Sequence, residues 1–163
     1  MEHILSLSYG KDSLACLGAI EQLGLPLDRI IHAEVWATET IPADLSPMVE
    51  FKEKADAIIK ERWGIEVEHI RADSTFEQVF YRERKSTKRN DKQILPRYGW
   101  PYQKGAWCND RLKVNVLQTL NKNSVCYMGI AVDEPKRFHN LSETKRSPLV
   151  EAGWTEEMCR KWC

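Results

Sequence analysis

Six consecutive residues near the N-terminus combine hydroxyls, a glycine, a cation and a carboxylate. They are Ser8, Tyr9, Gly10, Lys11, Asp12 and Ser13, which we call loop 8–13. Gly10 would let the backbone approach a ligand closely, and Lys11 would place a positive charge beside it. The two serines could donate hydroxyl hydrogen bonds, while Asp12 could cap a following helix or fix the loop. These groups, at the start of a helix, favour a bound phosphate.

A tyrosine stands at the second position of loop 8–13, where a glycine would be expected. Since non-glycine residues favour negative φ, we expect an ordinary negative φ at Tyr9. Its ring should then point away from the phosphates or lie along the ligand. The loop has neither the GxxxxGK[ST] pattern nor the GxGxxG pattern. A plain capped turn between a strand and a helix is the alternative interpretation.

Strand and helix patterns alternate along the chain. Strands are predicted at residues 4–8, 29–36, 65–70 and 124–131, and helices at 13–23, 47–63, 76–83, 111–120 and from 156 onward. The predicted N-caps are Ser46, Ser74 (in a capping box with Glu77), Asn109 or Asp110, and Thr155, and the predicted C-terminal stops are Gly24 and Gly64. This alternation predicts an α/β fold with an open, mainly parallel twisted sheet and helices on both faces.

Polar or charged residues follow each predicted strand, at 8–13, 37–41, 72–74 and 131–137. In an open parallel α/β sheet, ligands bind beyond the carboxyl ends of the strands. Four separate loops would therefore bring polar groups to one edge of the sheet, which predicts a binding site at that edge.

The composition is that of an ordinary globular protein, with 163 residues, 42% apolar and 29% charged. We expect one domain over residues 1–163. With 24 basic and 24 acidic residues, the net charge favours no particular partner. We expect no membrane span and no signal peptide. Five cysteines without a CxxC pair favour the cytoplasm, and the last residues read as a helix that continues beyond the chain.

Four segments resemble one group of proteins. Loop 8–13 resembles the Ser-Gly-Gly-x-Asp-Ser PP-loop of the adenine-nucleotide α-hydrolase superfamily. Residues 107–113 (WCNDRLK) are similar to a Cys-Thr-x-x-Leu-Lys segment of the phosphoadenosine phosphosulfate (PAPS) reductase family. Residues 129–137 (GIAVDEPKR) resemble its Gly-Ile-x-x-Asp-Glu-x-x-Arg, and residues 147–155 its Pro-Leu segment before a late helix. The resemblance implies that an adenine nucleotide, ATP or PAPS, binds at loop 8–13.

The resemblance also implies roles for particular residues. All six residues of loop 8–13 would hold the nucleotide, together with Thr38, Glu39 and Lys113. Thr38 takes the place of the threonine in an Asp-Thr-Gly turn, whose other two positions are Ala37 and Glu39 here, and Glu39 could supply a carboxylate. The candidate catalytic residues are Lys11, Cys108, Asp133, Glu134 and Arg137. Asp133 or Glu134 would hold Mg²⁺, if the nucleotide is ATP, or would position Arg137.

Three functions are consistent with the resemblance. One is release of sulfite from PAPS with a thioredoxin-like reductant. A second is cleavage of ATP between its α- and β-phosphates, adenylating a protein or nucleic-acid acceptor for sulfur or nitrogen transfer. The third is a nucleotide-binding module without turnover, and any of them could be a homodimer. The Glu-Cys-Gly-x-His motif of PAPS reductases does not occur in the sequence.

Cys108 lies near the start of a predicted helix, beside Arg111 and Lys113, so it is either a reactive thiolate, a metal ligand or a packing thiol. Family members with an iron–sulfur cluster carry a cysteine pair at this position. Because this chain has Cys108 alone, we expect no cluster and predict no metal site.

Residues 82–107 form a predicted loop excursion. Six basic residues stand against two acidic ones in residues 82–92, and four aromatic residues follow: Tyr98, Trp100, Tyr102 and Trp107. Such a loop could bind a 3′-phosphate, an acidic carrier protein or nucleic acid, or could simply be solvated. The zero net charge argues against general nucleic-acid binding. Of the four histidines, His139 alone is placed to take part.

Overall fold

The computed structural model describes residues 1–84, 97–102, 106–120 and 123–163. Five strands form one all-parallel sheet in the order β3-β2-β1-β4-β5. They are β1 (Glu2–Ser6), β2 (Arg29–Glu34), β3 (Val67–Arg71), β4 (Ser124–Tyr127) and β5 (Lys145–Arg146). The predicted α/β class and open parallel sheet are confirmed.

The strand order reverses at the centre of the sheet. From β1 the chain moves outward through β2 to β3, and then returns to the other side of β1 to form β4 and β5. Loops that leave neighbouring strands in opposite directions leave a crevice at such a reversal, and ligands of parallel α/β proteins bind there. The loops after β1 and β4 therefore flank the expected ligand crevice.

Helical segments connect the strands. They are α1 (Lys11–Leu23), α2 (Ser46–Trp63), α3 (Phe76–Tyr81), α4 (Trp107–Asn109), a π-helical turn (Asp110–Val114), α5 (Asn115–Leu120), α6 (Pro135–Phe138), α7 (Pro148–Glu151) and α8 (Glu156–Trp162). None of the helices in the described ranges is both long enough and apolar enough to cross a membrane.

Three of the predicted helix ends are confirmed. Gly24 and Gly64 end α1 and α2 with φ of 61° and 71°, a left-handed conformation that glycine adopts without strain. The Thr155 hydroxyl accepts a hydrogen bond from the Met158 N–H and caps α8.

Two other predicted helix starts are wrong. Ser46 lies inside α2, whose N-cap is Leu45 without a side-chain bond. Neither Asn109 nor Asp110 is the cap of a separate helix, because α4, the π-helical turn and α5 follow one another without a break. Serine, asparagine and aspartate favour caps, but packing of the surrounding helix overrides that preference here.

The predicted capping box of Ser74 and Glu77 is also wrong. The structure forms it one residue later, where the Thr75 hydroxyl accepts from the Gln78 N–H and the Gln78 side chain accepts from the Thr75 N–H. Each pair has the same spacing and suitable residue types, so the sequence alone does not choose between them.

The predicted strands exist, but three of them end earlier than predicted, and β5 was missed. β1 ends at Ser6 instead of residue 8. β2 ends at Glu34 and β4 at Tyr127, although buried apolar residues such as Ile130 continue after β4. β5 has only two residues, too few to show an alternation of apolar and polar side chains.

The main core lies between the sheet, α1 and the C-terminal helices. Its buried members include Ala15, Leu17, Leu149 and Cys159. From α2, Ala55 and Ile59 join this core. Trp63 packs against it from the end of α2, whereas Met48, Phe51 and Ile58 stay exposed and Lys52 is buried.

A second, smaller hydrophobic core lies beyond the carboxyl ends of β2 and β3. Val79, Trp107 and Leu112 are its buried residues, and Phe76 and Phe80 pack against them. This core joins α3 to the segment that contains the π-helical turn. Part of the predicted excursion 82–107 borders it, although residues 85–96 and 103–105, with most of the basic run 82–92, lie outside the described residues. Glu83 and Arg97 pair as an antiparallel bridge across that gap.

Candidate functional site

Loop 8–13 lies at the carboxyl end of the central strand β1. Inside the loop, the Ser13 hydroxyl accepts hydrogen bonds from the N–H and the hydroxyl of Ser8, at 3.2 and 3.0 Å. The same hydroxyl donates to the Gly10 carbonyl at 2.9 Å. Both serine side chains, predicted to donate to phosphate, thus close the loop on itself in this structure.

The N-terminus of α1 has no side-chain cap. The Leu14 N–H donates to the Gly10 carbonyl at 3.0 Å and starts the helical ladder. The N–H groups of the three preceding residues therefore point out of the helix start, as those of any first helical turn do. Asp12, a candidate cap, binds the Lys11 ammonium instead, at 2.8 and 3.0 Å. This arrangement leaves backbone donors for an anion.

Tyr9 has a φ of 59°, so the predicted negative φ is wrong. A left-handed backbone costs a non-glycine residue about 1–2 kcal/mol. The neighbouring Gly10 has a φ of −76°, and a Cβ there would meet only the Ser8 hydroxyl at an ordinary 3.6 Å. The position that would benefit from glycine is therefore residue 9. In the PP-loop that loop 8–13 resembles, a glycine stands at that place.

The Tyr9 side chain is buried and bonded away from the loop surface. Its hydroxyl donates to Asp56 Oδ1 of α2 at 2.5 Å and lies 3.2 Å from His69 Nε2 of β3. Burial, and then the Asp56 carboxylate, raise the pKa of Tyr9, so the hydroxyl keeps its proton. The ring points away from the loop surface, which was one of its two expected orientations.

A chain of hydrogen bonds extends from Tyr9 to the end of β2. His69 Nε2 lies 2.8 Å from Asp56 Oδ2, and His69 Nδ1 lies 2.7 Å from Glu34 Oε1. Burial opposes ionisation of Glu34, but the bonds from His69 and Trp36 outweigh it and lower the Glu34 pKa. Three elements, β2, β3 and α2, thus fix one side chain of loop 8–13.

His32 packs against the same tyrosine. Its buried ring lies edge-on to Tyr9, with centroids 4.7 Å apart. His32 Nδ1 lies 2.8 Å from the Leu7 carbonyl and Nε2 lies 2.7 Å from Lys52 Nζ, which also binds Asp44. Burial is the main cause of the lowered His32 pKa. The hydrogen bond to the Leu7 carbonyl opposes this shift, and the positive charge of Lys52 reinforces it. A neutral His32 that donates through Nδ1 and accepts through Nε2 satisfies both partners.

Sequence reasoning missed this support. It selected His139, which is exposed at the end of α6, whereas His32 and His69 contact Tyr9. One signal was present: Lys52 and Asp56 occupy the same helical phase as the buried Ile59. Charged residues in the buried phase of a helix need polar partners, so this spacing indicates a buried polar network beside α2.

The loop after β4 approaches loop 8–13 from the other side. A Cβ on Gly129 would lie 2.6 Å from the Ser13 nitrogen, so this close backbone approach requires glycine. Beyond it, Glu134 binds Arg137 at 2.7 and 2.9 Å and accepts from the Ala131 N–H. Glu134 is thus the carboxylate that positions Arg137.

Asp133 and Lys11 both connect this region to α8. Asp133 accepts from the Glu156 N–H at 3.1 Å, which anchors the start of that helix. The Glu156 carboxylate lies 3.3 Å from the Lys11 ammonium. Lys11 is therefore held between Glu156 and Asp12, and its bond to Asp12 is the main cause of its raised pKa. Glu156 was not among the predicted site residues.

The remaining predicted site residues lie along the edge formed by β2, β3 and the π-helical turn. Thr38 closes a turn by accepting from the Ile41 N–H at 3.1 Å. Glu39 accepts from the Gln78 side chain and lines a cavity of about 270 Å³ at the ends of β2 and β3. Lys113 is exposed in the π-helical turn. Cys108 is half-buried against the Trp107 and Leu112 core.

The residues around loop 8–13 do not fit a magnesium site made by protein alone. In the ranges that the structure describes, no three His, Cys, Asp or Glu side chains converge in a way that could hold a metal ion. Asp12, Glu156 and Glu134 already bind cationic side chains, and Asp133 binds a backbone N–H.

No family model matches this chain, and no curated protein or solved structure matches it either. Its function therefore has to be inferred from the geometry around loop 8–13.

The strain at Tyr9 can be measured by comparing two substitutions. Alanine normally stabilises a chain relative to glycine by about 0.5–1 kcal/mol. At residue 9 we expect the reverse, with Tyr9→Gly more stable than Tyr9→Ala by about 1 kcal/mol in urea unfolding, because only glycine relieves the left-handed strain. As a control, the same pair at exposed Glu53 of α2 should favour alanine. A more stable Tyr9→Ala would contradict the strain.

The low pKa of His32 predicts a loss of stability in mild acid. The unfolded chain protonates this histidine below a pH of about 6.5, while burial keeps it neutral in the fold. The contribution of neutral His32 to the free energy of unfolding is therefore complete above that pH. It falls as the pH drops, by at most about 1.4 kcal/mol per pH unit. Urea unfolding between pH 7.5 and 5.5 should show a shallower decline for His32→Gln than for the wild type. His139→Gln, at an exposed site, should leave the slope unchanged, and equal slopes for all three proteins would refute the assignment.

Proposed function

We propose that this protein binds an adenine nucleotide, ATP or PAPS, at loop 8–13 and acts at or next to the α-phosphate. The observation that carries the proposal is the uncapped start of α1 at the reversal point of the strand order. Two further features support it. Lys11 stands at the first helical position, and the backbone of Tyr9 is held in a strained conformation of the kind that clusters at functional sites.

In this proposal the chain's own residues bind and orient the nucleotide. The N–H groups of the first turn of α1 would donate to phosphate oxygens. The Lys11 ammonium would exchange its carboxylate partners for a phosphate, and Arg137, positioned by Glu134, would offset charge that develops during the reaction. Because Tyr9 is anchored to α2 and β3, the loop would be set before the ligand arrives, which favours catalysis by preorganisation.

Two reactions are compatible with a nucleotide bound in this way. An acceptor oxygen or nitrogen could attack the α-phosphate of ATP, giving an adenylated acceptor and pyrophosphate. Alternatively, two thiols of a thioredoxin-like reductant could supply two electrons and convert PAPS to sulfite and adenosine bisphosphate while forming a disulfide.

Two cysteines near the C-terminus are poorly suited to take part in PAPS reduction. Thiol-based reduction needs an accessible thiolate. Among the described cysteines, Cys159 is buried and burial raises its pKa to about 11. Cys163 lies at the surface, and its thiol donates to the Lys11 carbonyl at 3.4 Å. Loss of solvent around the sulfur, and then the negative charge of Asp12, raise the Cys163 pKa as well. A neutral thiol is a poor nucleophile, so PAPS reduction that used Cys159 or Cys163 of this chain is disfavoured.

The proposal also includes the cellular location and the oligomeric state of the protein. A cytoplasmic location fits the use of cysteines, and a thioredoxin-like partner is needed only for PAPS reduction. A homodimer would cover the exposed apolar residues of α2, which are Met48, Phe51 and Ile58.

Product analysis separates the candidate functions. The protein should release pyrophosphate from Mg-ATP with an acceptor present, whereas sulfite from PAPS and thioredoxin would establish the reductase reaction instead. Nucleotide binding without either product would leave a binding module.

Lys11→Ala should weaken nucleotide binding at least ten-fold, since it removes a charge-assisted bond to phosphate. Lys60→Ala, at an exposed ion pair with Glu66, is the control. Unchanged binding by the Lys11 variant would overturn the site assignment.

Glu156 competes with phosphate for Lys11, so its neutralisation should strengthen binding. We expect Glu156→Gln to lower the dissociation constant for ATP by about two- to five-fold, the range of one partly exposed ion pair. The adjacent Glu157→Gln serves as a matched control because Glu157 pairs with Lys161 on the exposed side of α8. Weaker ATP binding by Glu156→Gln, measured by titration calorimetry, would show that Glu156 supports the site rather than competing in it.

A further inference from the structure

Three neighbouring cavities follow the edge formed by β3, α3 and the π-helical turn. The middle one, of about 510 Å³, is lined by Arg71, Arg82 and Arg111. It shares Arg71 and Leu112 with the 270 Å³ cavity at the ends of β2 and β3. On its other side it shares Arg111 with a cavity of about 390 Å³ that is lined by Tyr98, Tyr102 and Trp107. We call the three cavities together the arginine groove.

The arginines around this groove differ from arginines elsewhere in the chain. Away from the groove, ion pairs with carboxylates are formed by Arg29, Arg62, Arg137 and Arg146. Within the described residues, no ion pair is formed by the arginines at the groove, which are Arg71, Arg82, Arg84, Arg97 and Arg111. Four carboxylates also line the three cavities, those of Glu34, Glu39, Asp73 and Asp110. None of them forms an ion pair with the arginines of the groove within the described residues, so the guanidinium groups can still bind an incoming phosphate.

These arginines are held in place by neutral partners. Arg82 donates to the Ser74 hydroxyl at 2.7 Å, and Arg111 donates to the Tyr98 hydroxyl at 2.5 Å. Arg71 lies over the ring of Trp36, with 5.1 Å between the guanidinium carbon and the ring centroid. Stacking and hydroxyl bonds orient a guanidinium without removing its charge, so its remaining N–H groups can bind phosphate in a bidentate manner.

One exposed aromatic ring, Tyr102, lines the groove, and two others, Tyr81 and Trp100, pack against Phe80 of the second core beside it. Tyr81, Trp100 and Tyr102 are 55%, 73% and 69% exposed. Trp100 also touches Phe76 and Phe80 of the second core, which fixes the position of its ring. Cations and aromatic faces on the same side of the protein suit the phosphates and bases of a single strand. An acidic protein would use the cations, but it would give these rings no comparable partner.

The π-helical turn is a second sign that this face has a function. It interrupts the helix between Asn109 and Asn115 and contains both Arg111 and Leu112, which line the groove. Single π-turns within helices are frequent at functional sites because they displace side chains from regular helical positions.

We propose that the arginine groove binds single-stranded nucleic acid, with phosphates on Arg71, Arg82 and Arg111 and bases stacked on Trp100 and Tyr102. This binding does not require a nucleotide at loop 8–13. If the proposed ATP cleavage is correct, the bound strand is the acceptor, and that extension rests on the proposed function.

The test measures fluorescence anisotropy with labelled 12-nucleotide oligothymidylate and oligouridylate. Three phosphate contacts predict that affinity falls with salt with a log–log slope of about −2. We expect Arg82→Ala/Arg111→Ala to weaken binding at least ten-fold. Arg62→Ala, an exposed arginine paired with Glu21 far along the chain, should bind as the wild type does.

The contribution of the aromatic rings has its own readout. Trp100→Ala should weaken binding at least five-fold without changing the salt slope, because it removes stacking but no phosphate contact. Thermal unfolding checks that each variant is folded. Ultraviolet crosslinking of the same oligonucleotides to the unmodified protein should map to residues 97–102 or 106–111 and does not depend on any variant.

Several results would overturn the proposal. They are absence of oligonucleotide binding, crosslinks confined to other segments, or equal competition by a 12-residue oligoglutamate, which would indicate an acidic protein partner. Lys11→Ala separates the two sites: it should lose nucleotide binding and keep oligonucleotide binding. If the wild type binds oligonucleotide but no ATP or PAPS, the groove stands and the proposed function fails.

Discussion

The left-handed backbone at Tyr9 is the constraint on which the arrangement of loop 8–13 depends. A tyrosine does not adopt this conformation without strain, so its side chain must be held firmly enough to compensate. The hydroxyl bonds to Asp56 and His69 and the contact with His32 provide that hold. Through them, α2, β2 and β3 determine where the N–H groups of α1 point. In the loop that this one resembles, a glycine would reach the same angle with no such anchor.

Charge is distributed unevenly around the site. Near loop 8–13 the cations are paired, with Lys11 between Asp12 and Glu156, and Arg137 on Glu134. In the proposed function, a ligand phosphate would displace those carboxylates, which favours a strongly charged ligand over a neutral one. Along the arginine groove the cations have neutral partners instead. The two regions meet at the ends of β2 and β3, where Glu34 both lines the groove and takes part in the hydrogen-bond chain to Tyr9.

The fold class followed from the sequence because its signals are local. Alternating apolar segments predicted the parallel sheet, and Gly24 and Gly64 marked helix ends. The place of loop 8–13 between a strand and a helix also followed from its residue types and position. The anchor of Tyr9 could not be predicted, since Asp56 and His69 are distant in sequence and become neighbours only when α2 packs against the sheet. The sign of φ at residue 9 depends on that anchor, so the local preference for negative φ gave the wrong answer.

Hydrogen–deuterium exchange tests most directly whether loop 8–13 is the nucleotide site. Exchange of backbone amides would be followed in peptides covering residues 5–17 with and without saturating ATP. Donation to phosphate predicts slower exchange at residues 11–13, with no change across α2 beyond its contacts with Tyr9. Protection confined to residues 71–75 or 107–119, with residues 8–14 unchanged, would contradict the account and place the nucleotide in the arginine groove.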